Sequence, residues 1–216
     1  MKPKTIFLQI LFASVIFSAQ AQKPKPSFTV SAGISSAMYF TDDDYGDSYS
    51  SDLHTGAYGG FTARIPTGIH WALEPGLFYV QKGGVETVTD YQTVKVKTSL
   101  NYLELPVNMY YSKRNRFFIT FGPAFGFALS GQIKAEDESV KLKFGSGAED
   151  DLKSFEIGLN FTAGYQFKNN LFLAVSSGSG ISDLSNDDSY SFSNGYLGFR
   201  LGYVFAKKAE ANKSSE

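Results

Sequence analysis

Residues Ser154 to Phe167 read SFEIGLNFTAGYQF and divide into two faces without an error. Phe155, Ile157, Leu159, Phe161, Ala163, Tyr165 and Phe167 fall on one side, and Ser154, Glu156, Gly158, Asn160, Thr162, Gly164 and Gln166 on the other. Side chains alternate across a β-strand, so a strict period of two over so long a run predicts one long strand with an apolar and a polar face. Phe117 to Leu129 repeats the pattern, with Phe117, Ile119, Phe121, Pro123, Phe125, Phe127 and Leu129 facing away from Phe118, Thr120, Gly122, Ala124, Gly126, Ala128 and Ser130. Both runs exceed the length of about five or six residues usual for a strand in a soluble domain.

Worked outward from these two, the same reading finds eight strands: Phe28 to Phe40, Thr55 to Ile65, Ile69 to Gln81, Val94 to Tyr111, Phe117 to Ile133, Ser154 to Phe167, Leu171 to Ile181 and Ser191 to Phe205. Each reaches the roughly 9 to 11 residues that a tilted strand needs to cross a bilayer, and their number is even. The connections alternate in length. Pro66 to Gly68, Ser112 to Arg116 and Lys168 to Asn170 are tight, whereas Thr41 to His54, Lys82 to Thr93, Lys134 to Lys153 and Ser182 to Tyr190 are long and polar. Asp42, Asp43, Asp44, Asp47 and Asp52 sit in the first long loop and Glu149, Asp150 and Asp151 in the third, while Lys113, Arg114, Arg116 and Lys168 occupy short turns. The prediction is an all-β, eight-stranded antiparallel up-and-down transmembrane β-barrel, with short turns on the periplasmic rim and acidic loops outside.

Composition agrees. The 216 residues are 43% hydrophobic, 19% charged and 16% aromatic, with 21 Gly against 7 Pro, which speaks against disorder, coiled coil or a helical bundle. Cysteine is absent from the sequence, so disulfides, cysteine zinc sites, thiol catalysis and a lipid-anchored cysteine are excluded. His54 and His70 are the two histidines and leave little for a histidine metal centre. Lys2 and Lys4, the apolar run Ile6 to Phe17, and Ala19-Gln20-Ala21 predict a signal peptide over 1–21, which makes the chain exported. A short linker over 22–27, the barrel over 28–205 and a polar periplasmic tail over 206–216 complete the predicted organisation. The formal net charge of −1, more acidic once the leader is cut, argues against nucleic acid as a partner.

Alternation alone does not say which face points inward, and a soluble lipid-binding barrel is the competing architecture. A soluble barrel would show water a face rich in Lys and Glu, yet the polar face of Ser154 to Phe167 holds one charge, Glu156, among small residues suited to a cramped lumen. Tyr79, Tyr111, Tyr165, Phe167, Tyr203 and Phe205 stand on the apolar face near strand ends, where interfacial aromatics belong. With the apolar face outward, Arg64, Glu74, Glu104, Glu156 and Arg200 lie in the lumen, together with His70 and Gln166. In so narrow a space the carboxylates are expected to pair with guanidinium groups as a salt-bridge plug; a gated polar path or a catalytic acid pair is the alternative use.

Asp42, Asp43, Asp44 and Asp47 form a candidate loop binding site, by resemblance to a calcium loop that lacks its Glu at the twelfth position; a solvated surface loop is the other reading. Tyr45, Tyr49 and Tyr190 lie among these acids and could serve a protein or glycan contact. No G-x-S-x-G, G-x-x-x-x-G-K or H-E-x-x-H occurs, so no catalytic residue, cofactor or resident metal is expected and the chain reads as a non-enzyme.

Leu100 to Tyr111, LNYLELPVNMYY, resembles the Y-L-E-[LI]-P segment of the PorT-like outer-membrane β-barrel proteins of Bacteroidetes. Trp71 to Gly84, WALEPGLFYVQKGG, is similar to that family's E-P-x-L-x-Y-x-x-K-G strand, and Tyr196 to Phe205 to the closing strand recognised by barrel-assembly machinery. The resemblance implies an outer-membrane location, with outer-membrane lipid and the assembly machinery as partners; the barrel is expected to be a monomer. The family's founding member takes part in a secretion and gliding apparatus, so secretion-system proteins are a further possible class of partner. A structural or binding role through the acidic loops, a secretion or transport accessory, and a narrow pore are the functions left open.

Overall fold

In a computed structural model, residues 25–205 are described apart from 44, 46, 90–92, 114–115, 137, 148 and 188. The predicted signal peptide, the start of the linker and the polar tail lie outside the described residues. Ten strands follow in order: β1 (Ser27–Asp43), β2 (Ser48–Ser50), β3 (His54–Pro66), β4 (Trp71–Thr89), β5 (Thr93–Tyr111), β6 (Phe117–Ala135), β7 (Glu138–Leu142), β8 (Phe155–Gln166), β9 (Leu171–Gly180) and β10 (Tyr190–Phe205). Eight of them form an antiparallel ring, β1-β3-β4-β5-β6-β8-β9-β10, which closes where β10 returns to β1. The closing seam runs from Phe28 opposite Phe205 to Asp43 opposite Tyr190. The two short strands stand outside the ring: β2 folds back on the outer end of β1, and β7 on that of β6. A closed ring leaves no unpaired edge in the lipid, which is the condition for crossing a bilayer with strands.

The burial pattern is inverted relative to a soluble protein. Phe61 is 57% exposed, Leu159 57% and Leu201 53%, while Glu156 is 2% exposed and Thr162 fully buried. The apolar face therefore points out and the polar face in. At the rim of the short turns, aromatic residues pack in pairs, Trp71 on Tyr111 at 4.7 Å, Phe117 on Tyr165 at 4.7 Å and Tyr203 on Phe205 at 4.9 Å between ring centroids. Their rings suit the boundary between hydrocarbon and headgroup.

The structure corrects four readings of the sequence. First, β4 begins at Trp71 rather than Ile69 and continues through the predicted loop to Thr89, pairing with β5 as far as Thr89 opposite Thr93. The run Lys82-Gly83-Gly84 has a loop's composition. Here the glycine instead serves a close approach: Gly83 has φ +122, and a Cβ there would collide with the carbonyl oxygen of Thr98 on β5. Second, His70 is not in the lumen; it sits in the short turn before β4 with its ring edge-on to Tyr111 at 6.2 Å. Third, a bulge opposite Asn101 and Tyr102 leaves Leu129 as an extra residue in β6. The bulge shifts the phase of everything after it, so Ser130 faces out and Gly131 in. Fourth, β1 runs on to Asp43, so Asp42 and Asp43 belong to a strand end rather than a loop.

Candidate functional site

The inward positions of the ring fill the lumen in tiers. At the end of the short turns, Ala72, Tyr110, Phe118, Phe172, Ala174 and Val204 form one apolar cluster. Above it Ala37, Tyr58, Phe78, Val80 and Tyr196 form a second. At the outer end Tyr39, Leu100, Tyr102 and Phe192 are joined by Leu152 and Leu184, which come from the two long loops that follow β7 and β9. Polar groups are set between these tiers.

Arg64 lies with the first tier. Its Nε donates to Glu74 Oε2 at 2.7 Å, and its guanidinium stacks 3.7 Å above the ring of Tyr110. Both follow from the period-two pattern, since Arg64 on β3 and Glu74 on β4 are inward positions of adjacent strands. A planar guanidinium can stack on one group and hydrogen-bond another at once.

Between the second and third tiers, Lys82 Nζ lies 2.7 Å from Glu104 Oε1 and 2.6 Å from Glu156 Oε2. All three side chains are at most 6% exposed. Tyr196 donates its hydroxyl to Glu104 Oε2 at 2.8 Å, and the Lys82 ammonium lies 4.8 Å from the centre of the Tyr102 ring. The pairing differs from the sequence expectation: these two carboxylates share one ammonium instead of meeting guanidinium groups. Lys82 is the functional residue that sequence reading missed. The signal was present, because Lys82 continues the parity of Ala72, Glu74, Phe78 and Val80, all of which face inward. Beside the cluster, Glu156 Oε1, Tyr102 Oη and both polar atoms of the Asn194 side chain have no hydrogen-bond partner. A void of about 10 Å³ borders Glu156 there, about the room of one water.

Arg200 is 6% exposed and has no carboxylate within salt-bridge distance among the described residues. Its polar contacts are long, 3.5 Å to Ser31 Oγ and 3.5 Å to Thr162 Oγ1, and its Nε has none. The guanidinium lies instead 4.8 Å from the Phe78 ring centre and 5.7 Å from that of Tyr58. A buried cation without an anion is held at a cost, which the aromatic faces offset by about 2 kcal/mol at most. Arg200→Met is therefore expected to leave stability unchanged or raise it by about 1–2 kcal/mol, read as the urea midpoint of the Trp71 fluorescence. A loss above about 2 kcal/mol would contradict this account of Arg200. Gln166, the other polar residue expected inside, is half-buried at the end of β8.

The two loops at the outer end are tied together. Asp183 accepts the backbone N–H groups of Ser185 and Phe192, both at 2.9 Å, and pairs with Lys153 at 3.2 Å. Burial alone would raise the pKa of Asp183, but those donors and Lys153 outweigh it and hold the carboxyl below the usual carboxylate range. The backbone N–H of Lys153 donates to the carbonyl of Leu184 at 2.8 Å, which brings Leu152 and Leu184 side by side over the barrel. Above this lid opens a cavity of about 500 Å³. Its walls include Leu142, Tyr190 and Phe192, and its acids are Glu86, Asp150, Asp151 and Asp187. Glu86 comes from the extension of β4 through the predicted loop Lys82 to Thr93.

The candidate loop site is arranged differently. Asp43 Oδ1 accepts the N–H groups of Tyr45 at 3.0 Å and Asp47 at 2.9 Å, a local turn, and Asp42 pairs across the seam with Ser191. Asp44 lies outside the described residues. Among the described residues no group of three His, Asp or Glu is placed to hold a metal ion.

The comparisons with known proteins follow the fold. The family described as outer membrane protein beta-barrel domain matches residues 19–186. No curated protein matches the chain. Among solved structures, the chain is similar to OprG of Pseudomonas aeruginosa, with 12% identity over 87% of this chain and 99% of that one and a TM-score of 0.49. It is also similar to Ail, the attachment invasion locus protein of Yersinia pestis, with 14% identity over 84% and 99% and a TM-score of 0.42. With its closed ring, its apolar exterior and a family match over most of its length, the chain belongs to the outer membrane protein beta-barrel domain family and resides in the outer membrane.

Proposed function

We propose that this barrel is closed to solutes and is a non-enzymatic binding protein that works at its outer mouth. The observation that carries the reading is the filling of the lumen at three levels, ending in a lid of Leu152 and Leu184 directly beneath a cavity open to the outside. A pore lined with Tyr, Phe and the ion-paired Lys82 cluster would have to break apolar contacts at each tier to conduct. A cavity of about 500 Å³ with mixed polar and apolar walls and four carboxylates falls within the size range of small-molecule sites, and its acids favour a cationic ligand. The strand motifs at Trp71 to Gly84 and Leu100 to Tyr111 support a place in the PorT-like branch of the family.

The test is electrical. Purified barrel inserted into planar bilayers is expected to give no unitary conductance, before or after Leu152→Ala/Leu184→Ala, because the lower tiers stay packed. Steady channels from the wild type would overturn the closed reading.

A further inference from the structure

Above the membrane, the sheet formed by the ends of β4, β5, β6 and by β7 has two faces of opposite charge. Glu86, Val96, Thr98, Ile133 and Leu142 line the cavity, so they mark the inward face. The residues that alternate with them, Lys95, Lys97, Lys134 and Lys141, point outward and are exposed. Lys97 on β5 stands directly opposite Lys134 on β6, and Lys141 on β7 is opposite Gln132 one step away on the same face. Asp52, bridged to Val85, stands on this row two strands from Lys97, and among the described residues neither Lys97 nor Lys134 has a carboxylate within salt-bridge distance. Directly opposed residues have Cβ atoms roughly 5 Å apart, and like charges there are destabilising, so the pair favours a counter-charge from outside the chain.

The position of the pair says where that charge comes from. Down β6 from Lys134 the same outward face passes Gln132 and Ser130 and then Leu129 and Phe127, all exposed, while beside it on β5 Ser99 is buried with the His54 ring against its hydroxyl. Asn101 accepts from Tyr79 Oη at 2.6 Å and from Gln81 Nε2 at 3.2 Å, and donates to Ser130 Oγ at 2.9 Å, a polar belt where the apolar surface stops. Four residues further along a strand tilted by about 45° is about 10 Å higher, at the outer part of the headgroup layer. The lysines are thus continuous with the lipid-facing surface and turned towards the membrane's own headgroups.

We propose that the outward face formed by Lys95, Lys97, Lys134 and Lys141 binds the phosphate groups of the outer leaflet's lipid headgroups. This surface is separate from the cavity and stands whether or not the cavity binds a cation.

The test uses the full barrel in phosphatidylcholine nanodiscs titrated with bisphosphorylated lipid A, with the same lipid A stripped of phosphate, and with inorganic phosphate. The wild type is expected to prefer the phosphorylated lipid by at least about tenfold, and Lys97→Gln/Lys134→Gln to weaken its binding by about thirtyfold. Lys97→Arg/Lys134→Arg should bind within about threefold of the wild type, since charge is kept. In neutral detergent without lipid A the order reverses, and the Gln variant should be at least as resistant to urea as the wild type because the repelling pair is gone. That second reading also shows that the variant folds; if it does not, Lys95→Gln/Lys141→Gln is read in its place. Equal binding of the two lipid A forms, an unchanged affinity in the Gln variant, or inorganic phosphate binding as tightly as the lipid would each overturn the proposal.

Discussion

Replacing Lys82 by methionine is expected to cost about 3–5 kcal/mol of folding stability, read as the urea midpoint of Trp71 fluorescence in lipid vesicles. The size follows from what the substitution leaves behind. Lys82 is the ammonium shared by Glu104 and Glu156, 2.7 and 2.6 Å away, and all three are sealed between the second and third apolar tiers. Removing one partner of a buried ion cluster strands the others without solvent, and two stranded carboxylates a few ångströms apart also repel each other. The Tyr196 hydroxyl can stabilise Glu104 but has no reach to Glu156 Oε1, which already lacks a partner. The triple variant Lys82→Met/Glu104→Gln/Glu156→Gln removes the charges together and is expected to recover most of the loss. If Lys82→Met alone matched the wild type, the cluster would have to be hydrated and the lumen open at this level.

That residue also shows how far the sequence could be read. The ring, its strand number and its inside-out faces were legible because membrane strands repeat period two for longer than is usual in a soluble strand, as in Phe155 to Phe167. Arg64, Glu74, Glu104, Glu156 and Arg200 could be assigned to the lumen from parity alone. Partner choice was not legible, since it depends on register across the barrel: Glu156 on β8 meets Lys82 on β4, which are not neighbours in the ring. Lys82 was hidden by composition, because Gly83 and Gly84 after it read as a turn while in the structure they let β4 continue. The bulge at Leu129 had no sequence signal at all, and without it the outward position of Lys134 could not be inferred. Charge segregation above the membrane was hidden for a related reason: Lys95 and Lys97 alternate along one strand with residues that line the acidic mouth.

Gly33→Ala is the second substitution expected to act strongly, with a cost of about 1–3 kcal/mol and a visible defect in barrel closure. Gly33 is an inward position of β1, paired with Arg200 on β10 and Tyr58 on β3. A Cβ there would press on the carbonyl oxygen of Phe199 and lie 2.7 Å from the Arg200 Cα. Both are backbone atoms, so no rotamer change relieves the contact and the two strands must separate. They are also the first and last strands of the ring, whose pairing closes the longest loop and depends on every hairpin between them being in register. Gly195→Ala is the control in the same seam, since its Cβ would come no closer than 3.2 Å to the ring edge of Phe40. The expected result is that Gly33→Ala shifts the urea midpoint down and reduces the fraction that migrates as the compact form in unboiled gel samples, while Gly195→Ala changes neither. Matching behaviour of the two variants would mean that β1 and β10 can part at Gly33 without loss, and that the hairpins rather than the seam hold the barrel shut.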